Sequence, residues 1–190
     1  MTIHQHDQPK WEIDLECRTC VSISGKKRIS PGPTVYEGEF WIIEHAYPVK
    51  MTGWFVIILK RHIESLNDVR SEEFAELGRI QKKFIEMLYD ELKCEKVYIS
   101  CFSDDTHFKH ILFHVFAKPK KLSRKLTGVD SFAMLKVSLK ESVSPKDIIK
   151  ISQSMRKRWY PNENIITMSP EQIEDFFVEH HQYDCSVGSW

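Results

Sequence analysis

The segment His110-Ile-Leu-Phe-His-Val-Phe116 guides the interpretation of the whole chain, because it combines a β-strand pattern with two histidines on one face. Alternate residues of a strand point to the same side of a sheet. We therefore expect His110, Leu112 and His114 to share one face, while the residues between them pack on the other. Three histidines at these positions would align three imidazoles, but the middle position here is a leucine.

A pair of cysteines lies far upstream of this segment, in the pattern Cys17-x-x-Cys20. Two thiolates at this spacing can bind one metal ion from a single turn, and His62 and His110 would add ligands from two separate elements. Zinc prefers thiolate and neutral imidazole, and two of each complete a tetrahedral structural site. The four residues therefore predict one structural zinc. The alternative is two partly buried thiols and two unrelated histidines.

Length and composition limit the class of protein. The chain has 190 residues and is 42% hydrophobic, which is enough for one good core and a small appendage. The 27 basic and 27 acidic residues cancel, so no excess charge favours nucleic acid or an anionic membrane as a partner. No apolar run approaches the ~20 residues of a membrane span, and the polar N-terminus lacks a signal-peptide pattern. Five cysteines, an odd number, favour a reducing cytoplasm and a metal site over a disulfide framework.

Hydrophobic periodicity predicts an α+β domain, with an antiparallel sheet, one main packed helix and a helical tail. Short apolar and β-branched runs predict strands at 34–36, 40–43, 53–59, 97–102 and 110–117. Ser71 is the expected cap of a helix from residue 72 to about residue 93, whose apolar residues recur with a period near 3.6. Residues 1–14 are polar for most of their length, and we expect them to be flexible.

The composition changes after Pro119, where a basic linker contains Lys118, Lys120, Lys121, Arg124 and Lys125. Beyond it, the pattern predicts a strand at 132–139 and two helices with proline at the first position, one running from Ser144 to about Trp159 and one from Ser169 to about His180. The predicted organisation is a flexible segment at 1–14, a domain at 15–120, and a linker with a C-terminal helical extension at 121–190.

Residues 15–120 resemble the histidine triad (HIT) superfamily. The resemblance rests on Lys60-Arg-His62 after an apolar strand, on a helix with acidic residues in its first turn, and on His110-x-x-x-His114-Val-Phe. It implies a HIT-like fold and a two-fold homodimer formed through strand and helix. In metal-containing members, and in the related galactose-1-phosphate uridylyltransferases, such a site holds zinc; the corresponding residues here are Cys17, Cys20, His62 and His110.

The family's catalytic step uses the middle histidine, which attacks the α-phosphate of a nucleotide and forms a covalent nucleotidyl-imidazole. Leu112 takes that position and has no lone pair, so the resemblance implies the fold without this nucleophile. The usual glycine-rich phosphate loop is also missing. In its place the segment 103–109 contains Asp104 and Asp105, two carboxylates that would repel a phosphate.

The resemblance also implies where a nucleotide would bind. The acid that contacts the ribose hydroxyls falls at Glu44 or His45, and His114 and His107 are candidate phosphate contacts. Equally, His114 could be a core histidine bonded to a carbonyl, and His107 an exposed loop residue. We therefore expect a divergent protein with structural zinc that binds a nucleotide or a partner. The alternative is a nucleotide hydrolase or nucleotidyl transferase that acts on the α-phosphate through His114 or His107.

Overall fold

A computed structural model describes residues 11–103, 109–122, 126–135 and 137–163. Its centre is a five-stranded antiparallel sheet of order β1-β2-β3-β5-β4. The strands are β1 (Tyr36–Glu37), β2 (Trp41–His45), β3 (Trp54–Leu59), β4 (Lys96–Ser100) and β5 (Leu112–Lys118). The α-helices are α1 (Arg18–Ile23), α2 (Ser71–Leu92) and α3 (Pro145–Trp159), and Gly128–Leu135 forms a 3-10 helix. The predicted α+β class is therefore confirmed.

One face of the sheet packs against α2 and α3. The helices contribute buried apolar residues at a helical spacing, and the strands contribute alternate residues. This core contains Trp41, Ile43, Phe55, Ile57 and Val115 from the sheet, Leu77, Ile80, Phe84 and Leu88 from α2, and Met155 and Trp159 from α3. Strand β3 is buried at every position, as its continuous apolar sequence predicts.

The opposite face of the sheet forms a second core. Its strand residues are Ile42, Trp54, Val56, Ile58, Leu112 and Phe116. Residues 126–135, which we call the cover segment, lie on this face and bury Met134 and Leu135 against it. Both faces of the sheet are therefore covered by parts of the chain beyond residue 120.

Three local predictions were wrong. The 132–139 strand is absent over the described residues, because Gly128–Leu135 forms a 3-10 helix whose apolar side chains are buried by packing on the sheet. Strand β5 starts at Leu112, so His110 precedes it. The N-cap residue of α2 is Arg70 rather than Ser71. The capping hydrogen bond is made by the Glu73 carboxylate, which accepts from Arg70 N at 2.8 Å, and not by a serine hydroxyl.

Both ends of the predicted domain contact more of the chain than expected. Lys60 Nζ lies 4.9 Å from the ring centroid of Trp11, and Asp14 O accepts from Cys17 N, so both residues contact later parts of the chain. Lys118 lies in β5 and pairs with Glu95 at 3.2 Å, so it is part of the sheet rather than of a linker.

The first predicted C-terminal helix is confirmed as α3, whose Ser144 hydroxyl accepts from Asp147 N at 3.2 Å. The second, at 169–180, lies outside the described residues, as do Arg124 and Lys125. Within the described ranges, no helix combines the length and the apolar character that a membrane span requires.

Candidate functional site

The sheet topology brings His62 and His110 together. Strands β3 and β5 are antiparallel neighbours, so the residues after β3 lie beside those before β5. Pairing continues past the strands, since Leu59 N donates to Ile111 O at 3.2 Å and Ile111 N donates to Ile63 O at 3.0 Å. As a result, the ring centroids of His62 and His110 are 5.3 Å apart, although 48 positions separate them in the numbering (110 minus 62).

Helix α1 brings two sulfurs to these rings. Cys17 is its N-cap, and its Sγ accepts from Cys20 N at 3.5 Å, which turns both thiols to the same side. Cys17 Sγ lies 3.6 Å from His110 Nδ1, and Cys20 Sγ lies 3.5 Å from the Nδ1 atoms of both histidines. The four ligand atoms all lie within 4.8 Å of one another, so the predicted cluster is present.

These distances fit a tetrahedral metal ion. Zinc bonds of ~2.3 Å to sulfur and ~2.0–2.1 Å to nitrogen, at a tetrahedral angle, place the two ligand atoms ~3.5–3.6 Å apart. Three of the four sulfur–nitrogen pairs lie 3.5, 3.5 and 3.6 Å apart. Two thiols and two imidazoles also form a complete ligand set with no protein ligand missing.

Polar groups lie behind both imidazoles, and the one behind His110 forms a hydrogen bond. His110 Nε2–H donates to Leu59 O at 2.6 Å, which leaves the Nδ1 lone pair directed at the sulfurs. His62 Nε2 lies 3.7 Å from a carboxylate oxygen of Asp14 and equally far from one of Glu64. A carbonyl behind a metal-binding histidine fixes its tautomer in this way, whereas the carboxylates near His62 lie beyond hydrogen-bond distance.

The two thiols of the cluster have opposite pKa shifts. The hydrogen bond between them lowers the pKa of Cys17, with a further contribution from His110, and raises the pKa of Cys20, where burial acts in the same direction. The pair therefore favours one thiolate even before a cation binds. None of the four cysteines in the described ranges forms a disulfide.

Glu44, Leu112 and His114 lie on the sheet face opposite α2. Glu44 pairs with Val56, and Val56 pairs with His114. Glu44, Val56 and His114 therefore form one row across β2, β3 and β5. Leu112 lies in the next row, opposite Ile58, and is buried in the second core. The position between His110 and His114 is thus filled by a buried apolar side chain.

Glu44 is a buried acid that forms an ion pair with an arginine. Its Oε1 pairs with Arg28 at 2.8 Å and accepts from the Thr34 hydroxyl at 3.2 Å. Its Oε2 is buried and has no hydrogen-bond partner among the described residues. One oxygen is therefore satisfied internally, and the other keeps its accepting capacity.

His114 is buried among aromatic rings. Its Nδ1 accepts from Trp54 Nε1 at 3.3 Å, and the rings of Phe102 and Phe132 lie 5.8 and 6.3 Å away. Burial lowers the pKa of His114 to about 4, so the ring is neutral near pH 7.

His45 points to the opposite face, where its ring packs against Phe55. Its Nδ1–H donates to Ala46 O at 2.7 Å and its Nε2 accepts from Gly53 N at 3.3 Å, while burial lowers its pKa to about 4. His45 is therefore a core histidine and does not share a ligand site with His114. Of the two residues proposed to contact the ribose, only Glu44 shares a sheet face with His114. His107, Asp104 and Asp105 lie outside the described residues.

Sequence reasoning missed Arg28 and the carboxylates behind His62. Arg28 lies 16 positions before Glu44 in the numbering (44 minus 28), and no spacing rule links a loop cation to a strand residue. Asp14 and Glu64 each lie within three residues of a predicted ligand, Cys17 and His62, and that proximity was the available signal.

Comparison with known proteins identifies the fold. No protein-family model and no curated protein matches the sequence. A Hit-like protein involved in cell-cycle regulation from Bartonella henselae matches with a TM-score of 0.58 at 16% identity, over 75% of this chain and 96% of that one. A zinc-bound histidine triad family protein from Mycobacterium smegmatis matches with a TM-score of 0.54 at 18% identity, over 77% and 97%.

A third solved structure extends the match. It is a hypothetical histidine triad nucleotide-binding protein from Sulfolobus tokodaii, with a TM-score of 0.54 and 18% identity, and the alignment covers 88% of this chain and 98% of that one. The three alignments span nearly the whole of these proteins and at least three quarters of this chain. The chain described here has the fold of the histidine triad proteins.

Proposed function

We propose that this chain is a divergent histidine triad protein in which Cys17, Cys20, His62 and His110 hold a structural zinc ion. The observation that carries the proposal is the tetrahedral spacing of the four ligand atoms. The zinc-bound relative from Mycobacterium smegmatis supports the choice of metal. Zinc here would tie α1 to the ends of β3 and β5, and the reduced thiols that it needs favour a cytoplasmic protein.

The protein would bind a ligand without transferring a nucleotidyl group. Leu112 stands at the nucleophile's position and cannot attack phosphorus. His114 lies two residues further along the strand, a displacement of ~7 Å from that position. Its Nδ1 is also engaged by Trp54. The ligand would be a nucleotide or a protein partner. Glu44 and His114, with His107 as a further candidate contact, would bind a nucleotide, and the nucleotide-binding relative from Sulfolobus tokodaii supports this.

The zinc prediction is tested by elemental analysis of protein purified without chelators. We expect one zinc per chain, and we expect Cys20→Ser to lose the metal and to lower the thermal midpoint, because binding to a site absent from the unfolded chain contributes to folding. Cys101→Ser is the matched control, since Cys101 lies outside the cluster and should leave zinc content unchanged. Wild-type protein without stoichiometric metal would rule out the structural zinc.

The absence of catalysis is tested with adenosine phosphoramidate, diadenosine polyphosphates and nucleoside diphosphate sugars. Wild-type protein should release no nucleotide and form no covalent nucleotidyl-histidine detectable by mass spectrometry. Leu112→His should recover little activity, because a misplacement of ~1 Å already costs orders of magnitude in rate. The alternative enzyme is supported instead if wild-type protein hydrolyses these substrates and His114→Ala or His107→Ala abolishes the activity while zinc stays bound.

A further inference from the structure

The cover segment occupies the sheet face on which Glu44 and His114 lie. Phe132 packs edge-to-face on Trp54 at 5.4 Å and on Phe102 at 4.9 Å, with His114 at 6.3 Å. Met134 and Leu135 are 2% and 6% exposed and belong to the same core as Leu112. The cover segment therefore packs on the same aromatic cluster that surrounds His114.

The cover segment is a surface layer rather than a part of the sheet. Val129 is 83% exposed, so the segment has one buried side and one side in solvent. The hydrogen bonds that hold it include Lys50 N to Met134 O at 3.1 Å and Gly128 N to the Tyr98 hydroxyl at 3.3 Å. A short 3-10 helix held mainly by side-chain packing is less cooperative than the strand ladders beneath it.

The sheet face on which the cover segment packs also carries polar groups that an apolar core does not need. Glu44 Oε2 is buried without a partner among the described residues, and the neutral His114 ring has one nitrogen beyond the Trp54 contact. A buried polar atom without a partner is costly, and a hydroxyl group of a ligand would supply the partner that Glu44 Oε2 lacks among the described residues. An acceptor oxygen for hydroxyl groups and a neutral imidazole suit a nucleoside monophosphate.

We propose that the cover segment is a displaceable strap that competes with a nucleoside monophosphate for this face. This inference rests on the proposed binding function and adds its regulation. While the strap is closed, the binding-competent fraction is small and the apparent affinity falls in proportion to that fraction. Weakening the strap should therefore increase affinity without any new contact to the ligand.

The test uses Phe132→Ala, which removes the contacts to Trp54 and Phe102, with Val129→Ala as a matched control on the exposed side of the same segment. Affinity for AMP is measured by calorimetry on zinc-loaded protein. Hydrogen exchange of the Lys50 amide and of the Trp54 indole N–H is measured by NMR. We expect Phe132→Ala to bind AMP at least tenfold more tightly than wild type and to exchange both protons at least tenfold faster, with Val129→Ala unchanged.

Two results separate this inference from the function on which it rests. If wild type and Phe132→Ala bind AMP equally, the strap does not compete, and the inference fails while binding stands. If neither binds AMP, the nucleotide proposal fails; faster exchange in zinc-loaded Phe132→Ala then still supports a displaceable cover, and unchanged exchange overturns it.

A measurement on wild-type protein alone covers the case in which Phe132→Ala does not fold. In low concentrations of urea, the Lys50 amide should exchange through an opening of lower free energy than the amides of β3, because only the strap must move. Exchange of Lys50 together with β3, through global unfolding alone, would overturn the inference.

Discussion

Burial affects Leu112 and His114 in opposite ways, although they lie two residues apart on one face of β5. Removing the leucine side chain from water stabilises the fold by about 1.5–3 kcal/mol. Burying the imidazole disfavours its charged form and lowers its pKa from 6.5 to about 4. Below pH 6.5 the unfolded chain binds a proton at this histidine that the folded chain excludes. The protein therefore loses stability as the pH falls from about 6.5 to about 4.

His114→Gln should remove this pH dependence while keeping an acceptor for Trp54 Nε1. A shift from 6.5 to about 4 corresponds to about 3 kcal/mol. Urea unfolding at several pH values between 4 and 7 should therefore show that wild type loses about 3 kcal/mol more than the variant on acidification. Comparing the two proteins at each pH cancels the contribution of zinc release. Parallel pH profiles would contradict a neutral buried His114.

The start of α2 depends on the element before it as much as on its own sequence. Glu73 is 1% exposed, and its carboxylate accepts two hydrogen bonds from the Arg61 guanidinium, at 2.6 and 2.8 Å. It also accepts from Arg70 N. Burial raises the pKa of Glu73, but these hydrogen bonds outweigh it and the net shift is downward. One side chain therefore caps α2 and ties it to the segment that carries His62.

Glu73→Gln should destabilise the protein by about 2 kcal/mol, since hydrogen bonds to charged groups contribute ~1.5–3 kcal/mol each and the amide keeps only part of them. Glu72→Gln is the control. It lies in the same first turn but is exposed, so it should cost less than ~1 kcal/mol. Chemical denaturation at pH 7 compares the two. Equal effects would mean that Glu73 acts through the helix dipole alone.

Secondary-structure elements were predicted best where the hydrophobic pattern of the sequence fits only one kind of structure. The continuous run of residues 53–59 could only be a buried strand, and β3 follows it within one residue. Residues 132–139 have apolar side chains that suit either a strand or a layer packed on a completed sheet, and only the tertiary structure decides between them. Which of Glu44 and His45 shares a face with His114 was also undetermined by sequence, because it depends on the register of β2 with β3.

The cysteine–histidine cluster was predictable as a set because thiolate and imidazole restrict the metal chemistry. Its surroundings were not. Two of its neighbouring contacts join segments far apart in sequence: the ion pair of Arg28 with Glu44, and the packing of the cover segment near His114. Neither contact leaves a periodic pattern in the sequence. The parts of the site that follow from ligand chemistry were therefore visible in the sequence, and those that follow from packing were not.

At the scale of the whole molecule, the two faces of the sheet are covered, and β4 is an edge strand with no second neighbour among the described residues. Strand β4 is the last in the order, and among the described residues it pairs with β5 alone. Ile99 on this strand is 37% exposed and Tyr89 on α2 is 40% exposed. An open edge with apolar neighbours favours pairing with a second chain. In a two-fold dimer the same strand from each chain would meet at the axis.

We therefore expect a homodimer at micromolar concentration, formed by antiparallel pairing of β4 with β4. Ile99→Lys should weaken the dimer at least tenfold, because the two-fold axis brings both new charges close together in a partly desolvated contact. Val129→Lys places the same charge on an exposed residue away from β4 and should leave the dimer intact. Sedimentation equilibrium measures both. A wild-type monomer throughout the micromolar range would refute the dimer, and equal weakening by both variants would place the contact elsewhere than β4.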